Sequence, residues 1–296
     1  MRFGILGAAV AAVLAVSGSA SGDALSDNLS TLVGDQATGY LGPLSKGLSA
    51  SANAGIFRGG HVPTAGLTAR LDLTGSYISF SDTDRTYTAP AFGGYPEAEV
   101  PTVIGDPDGA TVSQGNGLEF AYPGGFNLQN LAFAAPQITV GSVLGTKAMI
   151  RYVTFTVGDD EELGEFTYWA FGAQHSISQY LPGLPVDIAV GGMFQQFDLG
   201  SKDLVKADLM AWNVTGSRLF GTGAVKLEPY AGLGMDSCKM EANYDSGDES
   251  VQVKLDRQND FRGTLGANVK FPIVSLNVEG YVAAEMGVAG SLSFGI

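Results

Sequence analysis

The chain contains two histidines, and one of them stands close to serine hydroxyls that could act as nucleophiles. His175 precedes Ser176 and lies three residues before Ser178, and hydrolases activate a serine with a neighbouring imidazole base. Residues three apart in a strand point to opposite faces, so His175 and Ser178 are not expected to meet. No carboxylate stands at an obvious supporting position, and His61 lies in a Gly- and Pro-rich stretch where we expect it to be solvated. The sequence therefore predicts that the protein is not an enzyme, with a serine hydrolase as the least favoured alternative.

Acidic residues form four short clusters that could attract a cation. They lie at residues 82–84, 106–108, 159–162 and 245–249. Calcium prefers carboxylate oxygens, but none of these clusters has the spacing of a dedicated calcium loop. No glycine pattern follows a strand and opens a helix, which argues against a phosphate cradle. We therefore predict no metal site and no cofactor, and we leave calcium binding at the acidic loops open.

The overall charge limits the classes of partner. The formal net charge is -14, and charged residues make up only 16% of the chain, whereas about 25% is typical of soluble domains. Nucleic acid is excluded as a partner because phosphate binding needs a concentrated basic surface. The single cysteine, Cys238, cannot form an intrachain disulfide, and we expect it to pack as a small apolar residue.

The first twenty residues have the layout of a secretory signal peptide. Arg2 supplies the positive charge, residues 3–16 are apolar, and small residues at 17–20 offer a cleavage site after Ala20, with Ala24 as the alternative. A membrane anchor helix is less favoured because the apolar run is short of the roughly 20 residues that a span needs. Removal of residues 1–20 takes away Arg2 and leaves a net charge of -15.

Residues 21–46 are predicted to form a short amphipathic helical segment. Apolar side chains recur there at steps of three and four residues, among them Leu29, Leu32 and Tyr40. We expect Gly42-Pro43 to end or kink the helix. If the following strands close into a barrel, these three side chains are candidates for a plug in or at its lumen, and a position at the periplasmic rim is the alternative.

From Leu67 onward the pattern changes to alternation of apolar and polar residues, which is typical of strands with two different faces. Eleven strand candidates follow one another along residues 49–58, 67–80, 132–143, 146–157, 163–178, 186–198, 204–219, 223–244, 250–271, 273–286 and 288–296. An exported chain of this kind can enter a membrane as a closed barrel, which leaves no backbone group unpaired. We predict an all-β fold, a transmembrane antiparallel β-barrel of about twelve strands over residues 47–296, with ten to fourteen strands open. A soluble periplasmic β-sandwich is the alternative.

The connections between these strands alternate in length. Short ones at residues 143–145, 220–222 and 271–273 suit periplasmic turns. Polar and acidic ones suit the outside of the cell, and the long, Gly- and Pro-rich stretch at residues 81–130 is expected outside the barrel or folded into its mouth. Aromatic residues near the strand ends are consistent with interfacial girdles.

Charged residues of both signs lie on the polar phase of the strands. The predicted lumen-lining residues are Arg70, Asp72, Lys147, Arg151, Lys206, Asp208, Lys226, Glu228, Glu279 and Glu285. Barrels of about eight strands are filled by side chains, while those of sixteen to eighteen hold an aqueous channel. For ten to twelve strands, a charged pore lining and a network of ion pairs in a narrow lumen both remain open.

Local motifs from residue 42 onward resemble one family of bacterial outer-membrane β-barrel proteins, known only as a domain of unknown function. The motifs are GPL at 42–44, PGG at 123–125, APQITVG at 135–141, GT at 145–146, IRY at 150–152, HSISQY at 175–180 and LPVD at 184–187. The resemblance covers most of the chain after the signal peptide. The family is similar in broad layout to long-chain fatty acid transporter barrels, which implies an N-terminal helical piece followed by a barrel.

These observations predict an outer-membrane location and three candidate functions. A passive channel or transporter for small molecules, hydrophobic ones included, is favoured. A non-transporting structural or surface-binding barrel comes second, and a membrane-embedded lipid hydrolase is least favoured. The expected partners are outer-membrane lipid, a small-molecule solute, and the periplasmic chaperone and barrel-assembly machinery.

Overall fold

The computed structural model of the chain describes residues 22–32, 34–156, 165–200, 204–246, 249–255 and 257–295. The predicted signal peptide at residues 1–20 and the acidic cluster at residues 159–162 lie outside the described residues. No helix in the described ranges is long and apolar enough to cross a bilayer.

Two helices precede a series of strands. The helices are α1 (Gly22–Ser30) and α2 (Asp35–Ala52). The strands are β1 (Thr68–Ser79), β2 (Thr86–Ala89), β3 (Ala98–Pro101), β4 (Ala110–Ser113), β5 (Glu119–Tyr122), β6 (Asn130–Val143), β7 (Thr146–Thr156), β8 (Glu165–Ser176), β9 (Asp187–Leu199), β10 (Val205–Ser217), β11 (Lys226–Ser246), β12 (Glu249–Lys254), β13 (Gln258–Lys270), β14 (Val274–Val282) and β15 (Met286–Gly295).

Ten of these strands close into one antiparallel barrel, in the order β1, β6, β7, β8, β9, β10, β11, β13, β14 and β15. Each strand pairs with its neighbours in the order, and β15 returns to β1 in a register that sets Leu73 opposite Leu292. Closure leaves no open sheet edge, so the backbone groups of the wall pair within the wall. Strand β12 pairs only with the far end of β11 and extends beyond the barrel as a hairpin.

The predicted closed antiparallel barrel is therefore confirmed, but the expected number of twelve strands is wrong for the part of the chain that is described. The ten barrel strands match ten of the eleven candidates. The remaining candidate, residues 49–58, forms the end of α2 and an extended stretch inside the barrel. All ten of its residues are buried. A stretch enclosed by the wall has no exposed face, so its sequence carries no two-faced period from which its path could be predicted.

The barrel has two unlike ends, which we name by their connections. At the turn end, β6 and β7 are joined by two residues and β13 and β14 by three. At the loop end, residues 80–129 join β1 to β6, and the β11–β12 hairpin projects. Residues 283–285 form a short connection at the loop end, between β14 and β15.

Helix α2 runs from the loop end into the barrel. The sequence predicts that Gly42-Pro43 ends or kinks this helix, but the helix does not end there. Pro43 lies inside the helix, which continues to Ala52. A proline within a helix costs about 3 kcal/mol. Leu41 and Leu48 are buried on either side of it, and burial of each such side chain contributes about 1.5 to 3 kcal/mol. Packing inside the barrel thus outweighs the local preference to break the helix.

Residues 35–62, which we call the inner segment, pass through the whole barrel. At the loop end, Tyr87 donates a hydrogen bond to the Gln36 carbonyl over 2.9 Å. At the turn end, His61 Nδ1 lies 2.9 Å from Asp187 Oδ2, in the first residue of β9. The chain then leaves the barrel and begins β1 at the turn end, so the inner segment must occupy the lumen.

The two faces of the wall exchange character halfway along the barrel. In the loop-end half of β10, the buried inward residues are apolar: Val205, Ala207, Leu209 and Ala211. In the turn-end half the buried inward residues are polar: Asn213, Thr215 and Ser217. Strand β11 does the same, with Glu228 buried near the turn end and Met240 and Ala242 buried near the loop end. The apolar half faces α2, and the polar half faces residues 53–62.

This exchange corrects two predicted lumen-lining residues. Lys206 and Asp208 lie on the outer face of β10, where Lys206 Nζ is 3.6 Å from Asp198 Oδ1 and Asp208 is exposed. A single outward apolar phase along the whole strand was assumed in the prediction. The helix inside the barrel instead requires an apolar inner wall at this height, and the polar phase is left on the outside.

The connection at residues 80–129 folds over the loop end. Its hairpins β2–β3 and β4–β5 pack on the helices, and the Val103 amide donates to the Tyr40 carbonyl over 3.0 Å. Val100, Ile104 and Tyr122 are buried beneath it. We call α1 together with residues 80–129 the loop-end cover.

Candidate functional site

The barrel interior brings together most of the residues that could do chemistry, and its loop-end part is apolar. The three predicted plug residues, Leu29, Leu32 and Tyr40, are fully buried there. Tyr40 donates to the Gly124 carbonyl over 2.9 Å, and Tyr244 of β11 donates to the Leu32 carbonyl over 2.8 Å. These side chains therefore join the loop-end cover to the wall and lie above the deep lumen.

Two buried arginines hold the carboxyl end of α2 in the middle of the barrel. Arg262 Nη2 donates to the Ala50 carbonyl over 2.6 Å. Arg151 donates to the Ala52 and Ala54 carbonyls over 2.9 and 3.2 Å. The last carbonyls of a helix lack partners within the helix and carry partial negative charge. The guanidinium groups supply both the missing donors and the opposite charge.

Below the helix, Asp72 of β1 binds the extended part of the inner segment. Its carboxylate lies 2.7 Å from Arg58 Nη2 and 2.7 Å from Arg70 Nε. Thr139 Oγ1 donates to it over 3.0 Å, and Asp72 itself is fully buried. One carboxylate between two guanidinium groups leaves this cluster with a surplus positive charge.

Two glutamates continue the polar contacts toward the turn end. Glu279 accepts from the Gly55 amide over 2.7 Å and from the Tyr230 hydroxyl over 2.5 Å. Glu228 accepts from Ser217 over 2.7 Å and pairs with Lys270 Nζ at 2.5 Å. Both carboxylates are buried. Glu279 contacts the wall and the inner segment directly, and Glu228 is linked to the Gly60 amide of the inner segment through the Ser217 hydroxyl.

Glycines allow the inner segment to approach the wall closely at this level. Gly59 has a φ of +115°, and a Cβ there would lie 2.6 Å from a Glu228 oxygen. A Cβ on Gly60 would lie 2.4 Å from the Asp187 carbonyl oxygen. The Gly60 amide instead donates to Ser217 Oγ over 2.8 Å. Larger residues would push the segment off the wall.

The ten predicted lumen-lining residues therefore divide into four groups. Asp72, Arg151, Glu228 and Glu279 are buried in the interior. Arg70, Lys147 and Lys226 line a cavity at the turn end. Lys206 and Asp208 lie on the outer face. Glu285 is buried in the short connection at the loop end, outside the strands. The interior resembles a filled network of ion pairs more than an open charged pore.

His175 makes contacts that do not involve a serine nucleophile. Its Nδ1 lies 2.8 Å from Thr146 Oγ1, and its Nε2 lies 3.1 Å from the Tyr180 hydroxyl. Ser176 and Ser178 contact each other at 3.2 Å. The expectation that His175 and Ser178 do not meet is consistent with these contacts, and absence of enzymatic activity stays a prediction.

The single cysteine and the acidic residues are the remaining candidates for chemistry. Cys238 is buried, and its Sγ lies 3.3 Å from Ser45 Oγ on α2. Within the described ranges, no group of three or more His, Cys, Asp or Glu residues is placed to hold a metal ion. Of the acidic clusters that the sequence offers for calcium, residues 159–162 and part of residues 245–249 lie outside those ranges.

Sequence reasoning missed the contribution of residues 53–62 and of Lys270. Residues 49–58 were interpreted as a strand candidate and His61 as a solvated residue, so Arg58, Gly60 and His61 were not considered as interior residues. The closely spaced glycines at 55, 59 and 60 are the available signal, since glycine in an extended stretch often marks close approach of another backbone.

Arg151 provides a test of how the inner segment is held. The substitution Arg151→Met should lower the free energy of unfolding by about 3 kcal/mol, because three buried acceptors lose their donor. Those acceptors are the Ala52 and Ala54 carbonyls and Gln137 Oε1. Urea unfolding in detergent micelles measures the loss, and hydrogen exchange of residues 50–62 should become faster.

The matched control is Arg218→Met, because Arg218 is exposed in the connection after β10. That variant should unfold like the parent protein. Equal unfolding midpoints for Arg151→Met and the parent would contradict the proposed anchoring.

Glu285 at the loop end should make stability depend on pH. Burial, and then the nearby Asp84 carboxylate, raise the pKa of Glu285 to about 7, against the opposing effect of Lys46. The folded state therefore binds this proton more tightly than the unfolded state does. The stabilisation is present below about pH 4.5 and is lost as the pH rises through about 7.

The expected fall in the free energy of unfolding between pH 5 and pH 8 is on the order of 1 kcal/mol, because solvent screens a group at the rim. Urea midpoints at the two pH values measure it. The variant Glu285→Gln should lose this part of the pH dependence while keeping the hydrogen-bonding shape. An unchanged pH profile in that variant would assign the effect to other groups.

Comparison with known proteins finds solved structures of low similarity and one matching family. No curated protein matches the chain. The β domain of the Bordetella autotransporter BrkA is 12% identical, with a TM-score of 0.32, over 77% of this chain and 99% of that one. The Escherichia coli outer-membrane protease OmpT is 9% identical, with a TM-score of 0.30, over 78% of this chain and 95% of that one. A triple mutant of the Rhodopseudomonas blastica porin is 12% identical, with a TM-score of 0.17, over 78% and 99%.

The sequence itself gives a stronger result than these structural likenesses. A family model described as a family of unknown function, DUF6588, matches residues 2–296, which is nearly the entire chain. This agrees with the resemblance found in the local motifs. The chain therefore belongs to the DUF6588 family.

Proposed function

We propose that this protein is an outer-membrane β-barrel that its own inner segment keeps closed, and that it fixes the loop-end cover at the cell surface. The observation that carries the proposal is the path of residues 35–62, which runs from the loop end to the turn end inside the wall. In this role the barrel is a structural or surface-binding anchor. It does not work as an open diffusion pore.

The outer face of the barrel supports a position in a bilayer. Every barrel strand exposes at least one large apolar side chain: Leu71, Ile138, Ile150, Phe171, Phe194, Trp212, Leu233, Leu265, Val278 and Val288. Soluble monomers rarely expose a continuous apolar surface of more than a few hundred Å². An outward apolar band about 25 Å tall is the property that outer-membrane barrels share.

The connections support an orientation in that membrane. Outer-membrane barrels have short periplasmic turns and longer extracellular loops. The turn end therefore faces the periplasm, and the loop-end cover faces the outside. The signal peptide predicted at residues 1–20 would bring the chain to this compartment, and chaperones and the assembly machinery would then insert it.

The size of the lumen supports the closed state. An α-helix with its side chains is about 10–12 Å wide. Eight-stranded barrels are filled by side chains alone, and open channels begin with many more strands. A ten-stranded barrel that already holds α2 therefore leaves little space for a solute to pass.

A second candidate function is passage of small molecules after the inner segment moves, which is the transport function favoured by the sequence. One observation favours it. The wall holds residues 53–62 largely by polar contacts such as Gly60 to Ser217, Gly55 to Glu279 and Arg58 to Asp72. Water can replace such contacts, which makes the turn-end half of the segment easier to displace than α2.

Tryptophan fluorescence tests the position in the membrane. Both tryptophans of the chain, Trp169 and Trp212, lie on the outer face, with 37% and 55% of their surface exposed. Brominated lipids should quench most of their emission after reconstitution, because bromine quenches indoles that it contacts.

The control carries its only tryptophan near the loop end, in the combined variant Trp169→Phe, Trp212→Phe and Lys239→Trp. Lys239 lies in the loop-end half of β11, on the outer face, where it pairs with Glu241 at 2.6 Å. A tryptophan there should be quenched much less. The proposed membrane position would be contradicted if the tryptophan at position 239 were quenched as strongly as Trp169 and Trp212, or if no tryptophan were quenched.

Conductance measurements test whether the inner segment keeps the barrel closed. The parent protein should show no steady conductance in planar bilayers, whereas a variant lacking residues 23–62 should conduct if it inserts as a barrel. A conducting parent protein would overturn the proposal.

The variant Ser45→Cys distinguishes the second candidate function. Its new thiol should form a disulfide with Cys238 on oxidation, since the two side-chain atoms at these positions lie 3.3 Å apart. Solute uptake that stops on oxidation and returns with a reductant would show that passage requires movement of α2. The unsubstituted chain, with Cys238 alone, is the control for the oxidant.

A further inference from the structure

A cavity of about 480 Å³ opens at the turn end, between the inner segment and the wall. His61, Val62 and Pro63 form one side of it. Strands β1, β6, β7, β11, β13, β14 and β15 contribute the other sides. Cavities that bind small molecules commonly have volumes of about 300–1,000 Å³, so this one is large enough for a ligand.

Cationic side chains dominate the lining of this turn-end cavity. Arg70, Lys147, Lys226 and Lys270 line it, and no Asp or Glu is among the lining residues. The whole chain has only 16 Lys and Arg residues and a net charge of -14. A quarter of its basic residues thus converge on one cavity from four different strands, against the overall charge of the molecule.

The carboxylates nearby are already neutralised. Asp72 is paired with Arg58 and Arg70, and Glu228 is paired with Lys270. Asp187 contacts His61 at the rim. Counting Arg58, five cationic side chains therefore face three carboxylates, which leaves two positive charges in excess even if His61 is neutral.

Lys147 and Lys226 are the two cationic side chains of the cavity that no carboxylate neutralises. Among the described residues, neither ammonium group has a hydrogen-bond or ion-pair partner. Lys147 is largely covered by protein and reaches solvent through the cavity that it lines. Holding an ammonium group there without a partner costs free energy, and an anion in the cavity would remove that cost.

The arrangement of the donors indicates what kind of anion fits. Lysine ammonium groups act as point charges and do not form the planar fork that recognises a single carboxylate. Here three of them approach from different sides, and the hydroxyls of Thr68, Ser142 and Ser275 add donors. A tetrahedral group with several oxygens satisfies such donors better than a planar carboxylate does.

We infer that the turn-end cavity is a binding site for a phosphate group. Phe271 and Pro272 give it one apolar side, so the phosphate can belong to a larger molecule. In the proposed orientation the cavity opens to the periplasm, where the phosphate could come from a soluble phosphorylated compound or from a lipid headgroup.

Titration with inorganic pyrophosphate tests the site, with the full chain in non-ionic detergent and binding heat as the readout. The parent protein should bind about one pyrophosphate saturably. Lys147→Met and Lys226→Met should each weaken binding about tenfold or more, since each removes one charged hydrogen bond. Lys226 is exposed at the rim, so its variant should fold even if Lys147→Met does not.

The matched control is Lys239→Met, which removes one positive charge from the outer face at the loop end. It should bind pyrophosphate like the parent protein. No saturable binding by the parent protein, or equal weakening in Lys239→Met and Lys226→Met, would overturn the proposal.

Nanodiscs distinguish the two sources of phosphate. If lipid headgroups occupy the cavity, discs containing phosphatidylglycerol should abolish pyrophosphate binding that discs of phosphatidylcholine allow. If both kinds of disc allow equal binding, the natural ligand is a soluble phosphate compound.

Discussion

The structure depends on one constraint, which is that a chain segment enclosed by a barrel must find partners for its backbone polar groups away from water. Helix α2 meets this need internally until its last turn. Beyond it, the wall supplies the partners, first through Arg262 and Arg151 and then through Glu279 and Ser217. Asn268 and Gln174 serve the Arg58 and Gly59 carbonyls in the same way. The polar inner wall of the turn-end half is thus the complement of an extended segment, and the apolar inner wall of the loop-end half is the complement of a helix.

The same constraint explains the charges of both signs on the inner wall. An extended segment presents amides and carbonyls together, so it needs acceptors and donors from the wall. Buried carboxylates such as Asp72 are tolerated only when cations pair with them, and removing one partner of such a pair typically costs 3–5 kcal/mol. The result is a network in which Arg58 belongs to the segment and Asp72 to the wall. The segment and the barrel are therefore expected to fold as a unit.

Most of the barrel could be predicted from the sequence, because a strand whose two faces differ in polarity shows its period directly. Nine strand candidates begin and end within four residues of the observed strands, the candidate at 250–271 covers both β12 and β13, and the helical start was recognised. The path of residues 49–62 could not be predicted, because a segment that the wall surrounds has no favoured face. Since part of this segment was counted as a strand candidate, the number of strands could not be predicted either. Lys206 and Asp208 were misplaced for a related reason. Alternation reveals that two faces differ, but which face is inside depends on what fills the barrel, and at that height the filling is a helix.

The two ends of the barrel are closed by different forces, and this sets the order in which the interior could open. At the loop end, Leu25, Leu29 and Leu32 are buried with Tyr40 under the cover, and each such side chain contributes about 1.5–3 kcal/mol through burial. At the turn end, closure rests on His61 with Asp187 and on Lys270 with Glu228, contacts that salt can weaken. Any opening should therefore begin at the turn end, next to the cationic cavity. Occupation of that cavity by an anion would neutralise the surplus charge beside the segment and hold the closed arrangement more firmly.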